Sequence, residues 1–204
     1  MAKPLKVPPT KSALLNMKRQ VTFLQQGYTL LERKRELLTR LVYDRLASYR
    51  KLRKQARASL EEAYRWLAVT HMRMDSRVLR QAGMGLEPAL SVRILARSSL
   101  GVEYPSVSAR RHPVQPVSLL WTDASFDETR ERMADLAVML ATLGEAEMAL
   151  QRLLVEQRRT QKRVNALKYN VIPRYQATVR YIESALEEEE RNTLFQIKVL
   201  RENA

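Results

Sequence analysis

The sequence predicts an all-α fold, a long antiparallel two-helix coiled coil with a short irregular or β-hairpin segment at the reversal. Three observations predict it. From Leu14 to Trp66 apolar side chains recur in alternating steps of three and four, the 3.5-residue period of a coiled coil. A second long helical pattern fills residues 122–204. Between them, residues 83–121 hold three of the five glycines (Gly83, Gly85, Gly101) and four of the eight prolines (Pro88, Pro105, Pro113, Pro116), so the chain reverses there.

The first helix occupies the N-terminal part, residues 1–82. Pro9-Thr10-Lys11-Ser12 is a helix entry, with Thr10 or Ser12 as N-cap. No proline and only one glycine, Gly27, follow before Gly83, so a helix from about Ser12 to Gln81 is expected, roughly 105 Å long at 1.5 Å per residue. Its seam runs through Leu14, Met17, Val21, Leu24, Tyr28, Leu31, Arg35, Leu38, Val42, Arg45, Tyr49, Leu52, Ala56, Ser59, Ala63 and Trp66. Arg35 and Arg45 interrupt it with two readings: packed stems with snorkelling heads, the simpler one, or the place where a third element joins the pair. Gly27 is either a tolerated surface glycine or a point of close backbone approach.

The connecting segment, residues 83–121, changes texture. Leu90 to Ala96 is apolar with β-branched members, and Val102-Glu103-Tyr104, Val107 and Val114 to Leu120 read as extended. A short hairpin turning near Pro105 to His112 is expected.

The second helix, residues 122–204, starts among the N-cap residues of Thr122 to Asp127, with Glu128 and Glu131 in its first turns. Met133, Leu136, Leu140, Leu143, Leu150 and Leu154 keep helical spacing, and Gln157 to Arg163 is polar. The seam resumes at Val164, Leu167, Val171, Tyr175, Val179, Ile182, Leu186, Leu194 and Ile197. Steps of four and four around Pro173 are a stutter that locally unwinds a coil. Pro173 also leaves the carbonyl of Tyr169 without its donor, so a kink is expected between Asn165 and Tyr175.

Composition narrows the function. There is no cysteine, which excludes disulfides, thiolate metal sites and a cysteine nucleophile. The N-terminus has no apolar h-region, and no run of about 18 uncharged apolar residues exists to span a bilayer. A cytoplasmic chain without direct membrane insertion is expected. The net charge of +14 sits in the first helix, where residues 1–80 hold +13. A polyanion partner is one reading of it. A solvated face, partly met by acids on the partner helix, is the simpler one, because neither stacking aromatics nor a base-reading motif accompanies the charge. No glycine loop cradles a phosphate, and His71 and His112 stand isolated. Glu187 to Glu190 occupy consecutive helical positions that point apart, a solvated face rather than an acid–base pair. No catalytic, cofactor or metal site is expected. Trp66 and Trp121 are expected to pack near the base of the coil.

Both ends resemble the D subunit of the V/A-type rotary ATPases. At the N-terminus the resemblance lies in Pro9-Thr10-Lys11-Ser12, Leu15, Lys18, Leu24, Gly27 and the run Leu30-Leu31-Glu32-Arg33-Lys34-Arg35-Glu36-Leu37. At the C-terminus it lies in Arg163-Val164-Asn165-Ala166-Leu167, Ile172-Pro173, Thr178-Val179-Arg180-Tyr181-Ile182, Leu186-Glu187-Glu188, Glu190-Arg191 and Phe195. Lys168 departs from it, since that family usually carries Glu after Asn-Ala-Leu. The middle segment matches only through Gly101-Val102 and Tyr104-Pro105.

The resemblance implies a non-catalytic rotor shaft that couples ATP hydrolysis or synthesis in a hexameric head to rotation of a membrane ring. It implies contacts with the catalytic and regulatory A and B subunits, the small rotor F subunit and the ring-capping stalk subunit of C/d type, with no nucleotide or nucleic acid bound directly. The tip facing the hexamer would carry Lys11, Lys18, Arg33, Lys34, Arg35, Arg174, Arg180 and Arg191. Without the resemblance, a free-standing coiled-coil scaffold or adaptor is the alternative, followed by a basic helical nucleic-acid binder.

Overall fold

The computed structural model describes residues 5–113, 117 and 122–202. The element order is α1 (Lys11–Arg73), α2 (Ser76–Met84), β1 (Leu90–Ser99), β2 (Val102–Arg111), α3 (Ala124–Ala166), a π-helical turn (Leu167–Val171) and α4 (Ile172–Glu202). Two long helical stretches with one small hairpin between them are what the sequence predicts. The chain divides into two compact units, Met1–Leu37 with Gln157–Ala204, and Leu38–Glu156.

In the first unit, α1 pairs with the segment from Gln157 to about Glu190 of α4. Lys11 Nζ meets Glu190 at 2.9 Å, Lys18 Nζ meets Glu183 at 2.7 Å, and Arg35 Nη1 donates to Gln161 Oε1 at 3.1 Å. Rising numbers on one helix against falling numbers on the other make the pair antiparallel. Between these rungs lies the seam. Leu14, Val21, Leu24 and Leu31 are half-buried on α1, opposite Val164 and Ile182, which are buried, and Leu167, Tyr175, Val179 and Leu186, which are half-buried. The polar stretch Gln157 to Arg163 does not interrupt the core, because Thr160 is buried within it. Thr178 is buried as well; its hydroxyl donates to the Arg174 carbonyl and accepts from the Leu5 amide. Leu5 thus lies level with Thr178, while Lys11 lies level with Glu190. The arm before α1 therefore runs along α4 before the chain turns back into the helix.

In the second unit, α1 and α3 are again antiparallel, as Arg132 on Glu62 (3.1 Å) and Arg73 on Asp123 (3.2 Å) show. Leu38, Ala56 and Ala63 are buried along α1 and Val42, Arg45, Tyr49, Leu52 and Trp66 are half-buried, so all sixteen seam positions from Leu14 to Trp66 are at least partly covered. The next seam step is Thr70, also buried. Its hydroxyl lies 2.7 Å from that of Thr129 and donates to the Ser125 carbonyl at 2.9 Å.

Three expectations are corrected. First, the N-terminal helix does not run to Gln81. It stops at Arg73, and Asp75 starts α2 by accepting from the Arg77 amide. A side-chain oxygen that can cap competes with helix continuation. Second, the hairpin turns at Leu100-Gly101, with φ of 53° and 75°, and not near Pro105 to His112, most of which is β2. Two consecutive positive φ values are the two-residue turn whose twist suits a hairpin, and Pro105 is tolerated because only two strands form the sheet. Third, Leu194 and Ile197 are exposed rather than in the seam, since α1 begins level with Glu190 and supplies nothing opposite them. Leu140 is likewise exposed on α3. The irregularity expected between Asn165 and Tyr175 takes the form of a π-helical turn, in which the Ile172 amide reaches the Leu167 carbonyl, five residues back. The wider turn keeps Leu167, Val171 and Tyr175 on one face despite their steps of four. Trp121 and most of Val114 to Leu120 lie outside the described residues.

Candidate functional site

In each unit the surface is the outside of a helix pair, and in the second the hairpin is laid on α1 and α3. In the first unit, the cations expected at the tip divide by geometry. Lys11 and Lys18 are held by Glu190 and Glu183, and the hydrogen bond from Lys11 to Glu190 raises the Lys11 ammonium above the usual lysine range. Of Glu187 to Glu190, all exposed, Glu190 forms such a rung. Arg35 reaches Glu32 at 2.6 Å and Gln161, whose amide nitrogen donates to Asn165 Oδ1 at 2.8 Å. This polar relay ends at Asn165, just before the π-helical segment that precedes Pro173. Lys34 is half-buried, whereas Arg33, Arg180 and Arg191 stand on the exposed side with Arg174.

Apolar side chains also face outward. Phe23, Leu30 and Leu37 are 73%, 66% and 50% exposed at spacings of seven, so α1 carries a second stripe besides its seam. Leu194, Phe195, Ile197 and Leu200 are exposed on the last turns of α4, where every residue from Arg191 to Glu202 is open. Scattered apolar residues on a surface are ordinary, but stripes at helical spacing mark contact surfaces. The outer stripe repeats the heptad of the seam one position over, with Phe23, Leu30 and Leu37 preceding Leu24, Leu31 and Leu38.

The second unit settles the seam arginine at Arg45. Its guanidinium lies over the ring of buried Tyr104, 5.7 Å from the centroid, with Nη2 to the hydroxyl at 3.4 Å. Arg45 therefore marks where a third element, the hairpin, joins α1. Val102, two residues before Tyr104, completes a core with Leu38 and Leu153, against which Leu41 and Val42 pack. Farther along β2, the Val107 amide donates to Glu145 Oε2 at 2.7 Å, and Arg111 meets Asp135 at 2.6 Å and Glu131 at 3.2 Å. β2 thus runs antiparallel to α3 along its length. Glu145 and Asp135 do not stand out in the sequence, and Glu131 reads there only as an acid of the first helical turns, because the role of all three depends on the hairpin's path. At Gly27 no neighbour lies within 4 Å of an added Cβ, which favours the tolerated-glycine reading.

The start of α3 is fixed by Asp123. The Ser125 hydroxyl donates to its carboxylate at 2.7 Å and Arg73 at 3.2 Å. These contacts, the Ser125 bond first, lower the carboxyl below the ordinary carboxylate range. Among the described residues, no helix is long and apolar enough to cross a membrane, and no cluster of three metal-ligating side chains forms.

The family model for the D subunit of ATP synthase matches residues 13–202, spanning both helical stretches and the hairpin. The chain belongs to this family. It is 32% identical over 199 residues to the V-type ATP synthase D subunit of Thermotoga neapolitana, covering 97% of this chain and 98% of that one. It is 31% identical over 201 residues to the A-type ATP synthase D subunit of Pyrococcus abyssi, covering 95% and 92%, and 29% identical over 204 residues to that of Pyrococcus furiosus, covering 97% and 94%. As a D subunit of a V/A-type ATP synthase, it is a component of a multi-subunit ATPase complex. The matched span takes in the hairpin, so the segment least legible as a resemblance belongs to the family as fully as the two ends.

Proposed function

We propose that this subunit is the non-catalytic rotor shaft of its complex, coupling ATP hydrolysis or synthesis in the catalytic head to ion transport by rotation of a membrane ring. The observation that carries this reading is the match to the D-subunit family across residues 13–202. The surface supports it. A shaft needs stiff helices, faces that differ around its circumference, and contacts that slide; it needs no nucleotide site. Outer stripes such as Phe23, Leu30 and Leu37, with the cations Arg33, Arg174, Arg180 and Arg191, suit broad contacts rather than deep sockets. Exposed ion pairs contribute only about 0–1 kcal/mol each, which lets them exchange as the shaft turns.

The first unit, with its exposed α4 end, would face the A and B subunits of the head. The second unit would meet the F subunit and the ring-capping stalk subunit, leaving the chain peripheral to the membrane on the cytoplasmic side. Reconstitution of the catalytic head with this chain, and with a variant lacking residues 1–30, tests the reading. The full chain is expected to co-elute with the head and raise its coupled turnover, while the shortened one loses coupling. A head that turns over and couples equally well without the chain overturns the proposal.

A further inference from the structure

The two edges of the hairpin are treated differently by the rest of the fold. In an antiparallel pair, every second residue turns its N–H and C=O away from the partner strand. Ser99 and Val102 flank the two-residue turn, so they form a hydrogen-bonded pair, as do Arg97 with Tyr104, Leu95 with Ser106 and Arg93 with Ser108. The outward groups of β2 therefore belong to Glu103, Pro105, Val107 and Ala109, and those of β1 to Val92, Ile94, Ala96 and Ser98. Independent contacts agree with this parity: the Glu103 carbonyl accepts from Arg152 Nη1 at 2.9 Å, and the Val107 amide donates to Glu145 at 2.7 Å. The outer edge of β2 is thus closed by side chains of α3 and by Pro105, which has no N–H to offer.

The outer edge of β1 has no such cover among the described residues. All eight residues from Ser91 to Ser98 are exposed, with Val92, Ile94 and Leu95 47%, 66% and 59% open. The strand is ten residues long and holds no proline, lysine or bulge. Folded proteins normally blunt an exposed edge with proline, a bulge, charge or a covering element, because a bare edge is a template for another strand; here the charges of Arg93 and Arg97 are the one such device, and they disfavour a basic strand but not an acidic one. Its two faces differ. Val92, Ile94 and Ala96 share one, and Arg93, Leu95 and Arg97 share the other. Of the antiparallel pairings open to a second copy, the one centred on Leu95 sets Arg93 against Arg97 in both directions, and like charges opposite one another destabilise a ladder, whereas an acidic strand meets both arginines favourably.

We propose that β1 is completed by an acidic β-strand of a different polypeptide in the ATPase complex, added antiparallel or parallel at its outer edge. That strand carries carboxylates facing Arg93 and Arg97 and apolar residues facing Val92 and Ile94. Backbone hydrogen bonds supply the contact and the alternating side chains supply the selectivity. The proposal rests on the chain working as a subunit of the assembled complex.

Residue-resolved hydrogen exchange on the isolated chain and on the assembled ATPase tests it. In the isolated chain the amides of Val92, Ile94 and Ala96 are expected to exchange freely, while those of Arg93, Leu95 and Arg97 are slowed by pairing with β2. In the complex the first set slows as well, by roughly 100-fold or more, as for amides protected within a sheet. Ile94→Pro removes one outward donor and leaves the β1–β2 bonds in place, as Pro105 does on β2. It is expected to abolish the new protection at Val92 and Ala96 while Arg93 and Leu95 stay slow. Arg93→Glu with Arg97→Glu is expected to do the same. An assembled complex in which the outward amides keep their isolated-chain rates overturns the pairing and leaves the rotor reading standing. So does protection that survives the charge reversal, which removes the acidic partner, or protection that appears in the isolated chain through self-association. A chain that does not join the ATPase head overturns both readings.

Discussion

At the scale of single residues, position in the fold outranks chemical type. Asp123 is a carboxylate at the surface, yet the Ser125 hydroxyl and then Arg73 hold its pKa below the ordinary value. A group whose folded pKa is depressed stabilises the fold above its unfolded pKa and loses that contribution as pH falls through the folded value. Thermal melts between about pH 6 and pH 2.5 should therefore show a decline on the acid side of roughly pH 4 that is smaller in Asp123→Asn, which has already lost the charge. Leu38 is fully buried between Val102 and Leu153, where α1 meets α3 and the hairpin. Leu38→Ala should cost about 2–5 kcal/mol by urea unfolding, because the removed methyls leave a cavity among three elements. The same substitution at exposed Leu37 should be nearly silent in the isolated chain. The 3.5-residue period separates these neighbours correctly from sequence. It does not distinguish Arg35, which feeds a polar relay to Asn165, from Arg45, which carries the hairpin's Tyr104. Both interrupt the seam in the same way, and the difference is made by residues more than 50 positions away.

At the scale of elements, the helices are legible because their apolar positions repeat over many turns and their entries are marked. The Thr10 hydroxyl accepts from the Ala13 amide at 3.2 Å, an N-cap as expected. The break before α2 is hidden because Asp75 acts against a helical pattern that continues on both sides of it. The two strands are recognisable from their β-branched residues, but their turn is not where the prolines suggest. Proline is the more visible turn signal, while the deciding residue is Gly101, which takes φ of 75° without steric cost. Leu100 holds φ of 53° with a side chain that favours the opposite sign. Leu100→Asn should raise the melting temperature, by up to about 1 kcal/mol in stability, since Asn visits the left-handed region far more readily than Leu. Gly101→Val should lower it. Equal melts for wild type and both variants would show that the turn is not held in this conformation.

At the scale of the whole molecule, the chain is strongly basic at its N-terminal end and near neutral at its C-terminal end, and antiparallel pairing sets the two against each other. Lys11 on Glu190, Lys18 on Glu183, Arg73 on Asp123 and Arg132 on Glu62 are the result. The π-helical turn and Pro173 are where the second long helical stretch departs from α geometry, beside exposed Lys168 and Tyr169. π-turns of this kind recur at functional sites. Pro173→Ala returns a backbone N–H directly after the π-helical turn. It should leave the isolated chain at least as stable by thermal melt, while lowering the coupled turnover of the reconstituted ATPase severalfold. Unchanged coupling would show that the irregularity serves packing alone. Sequence by itself determined the two long helices, their antiparallel order, the seam and the family, because each depends on periodicity or on local residue patterns that survive without coordinates. Only the tertiary structure decided where the hairpin lies, which arginine it recruits, and which strand edge is left open. Those follow from contacts between residues far apart in the chain, and their partners on α3 carry no local signature.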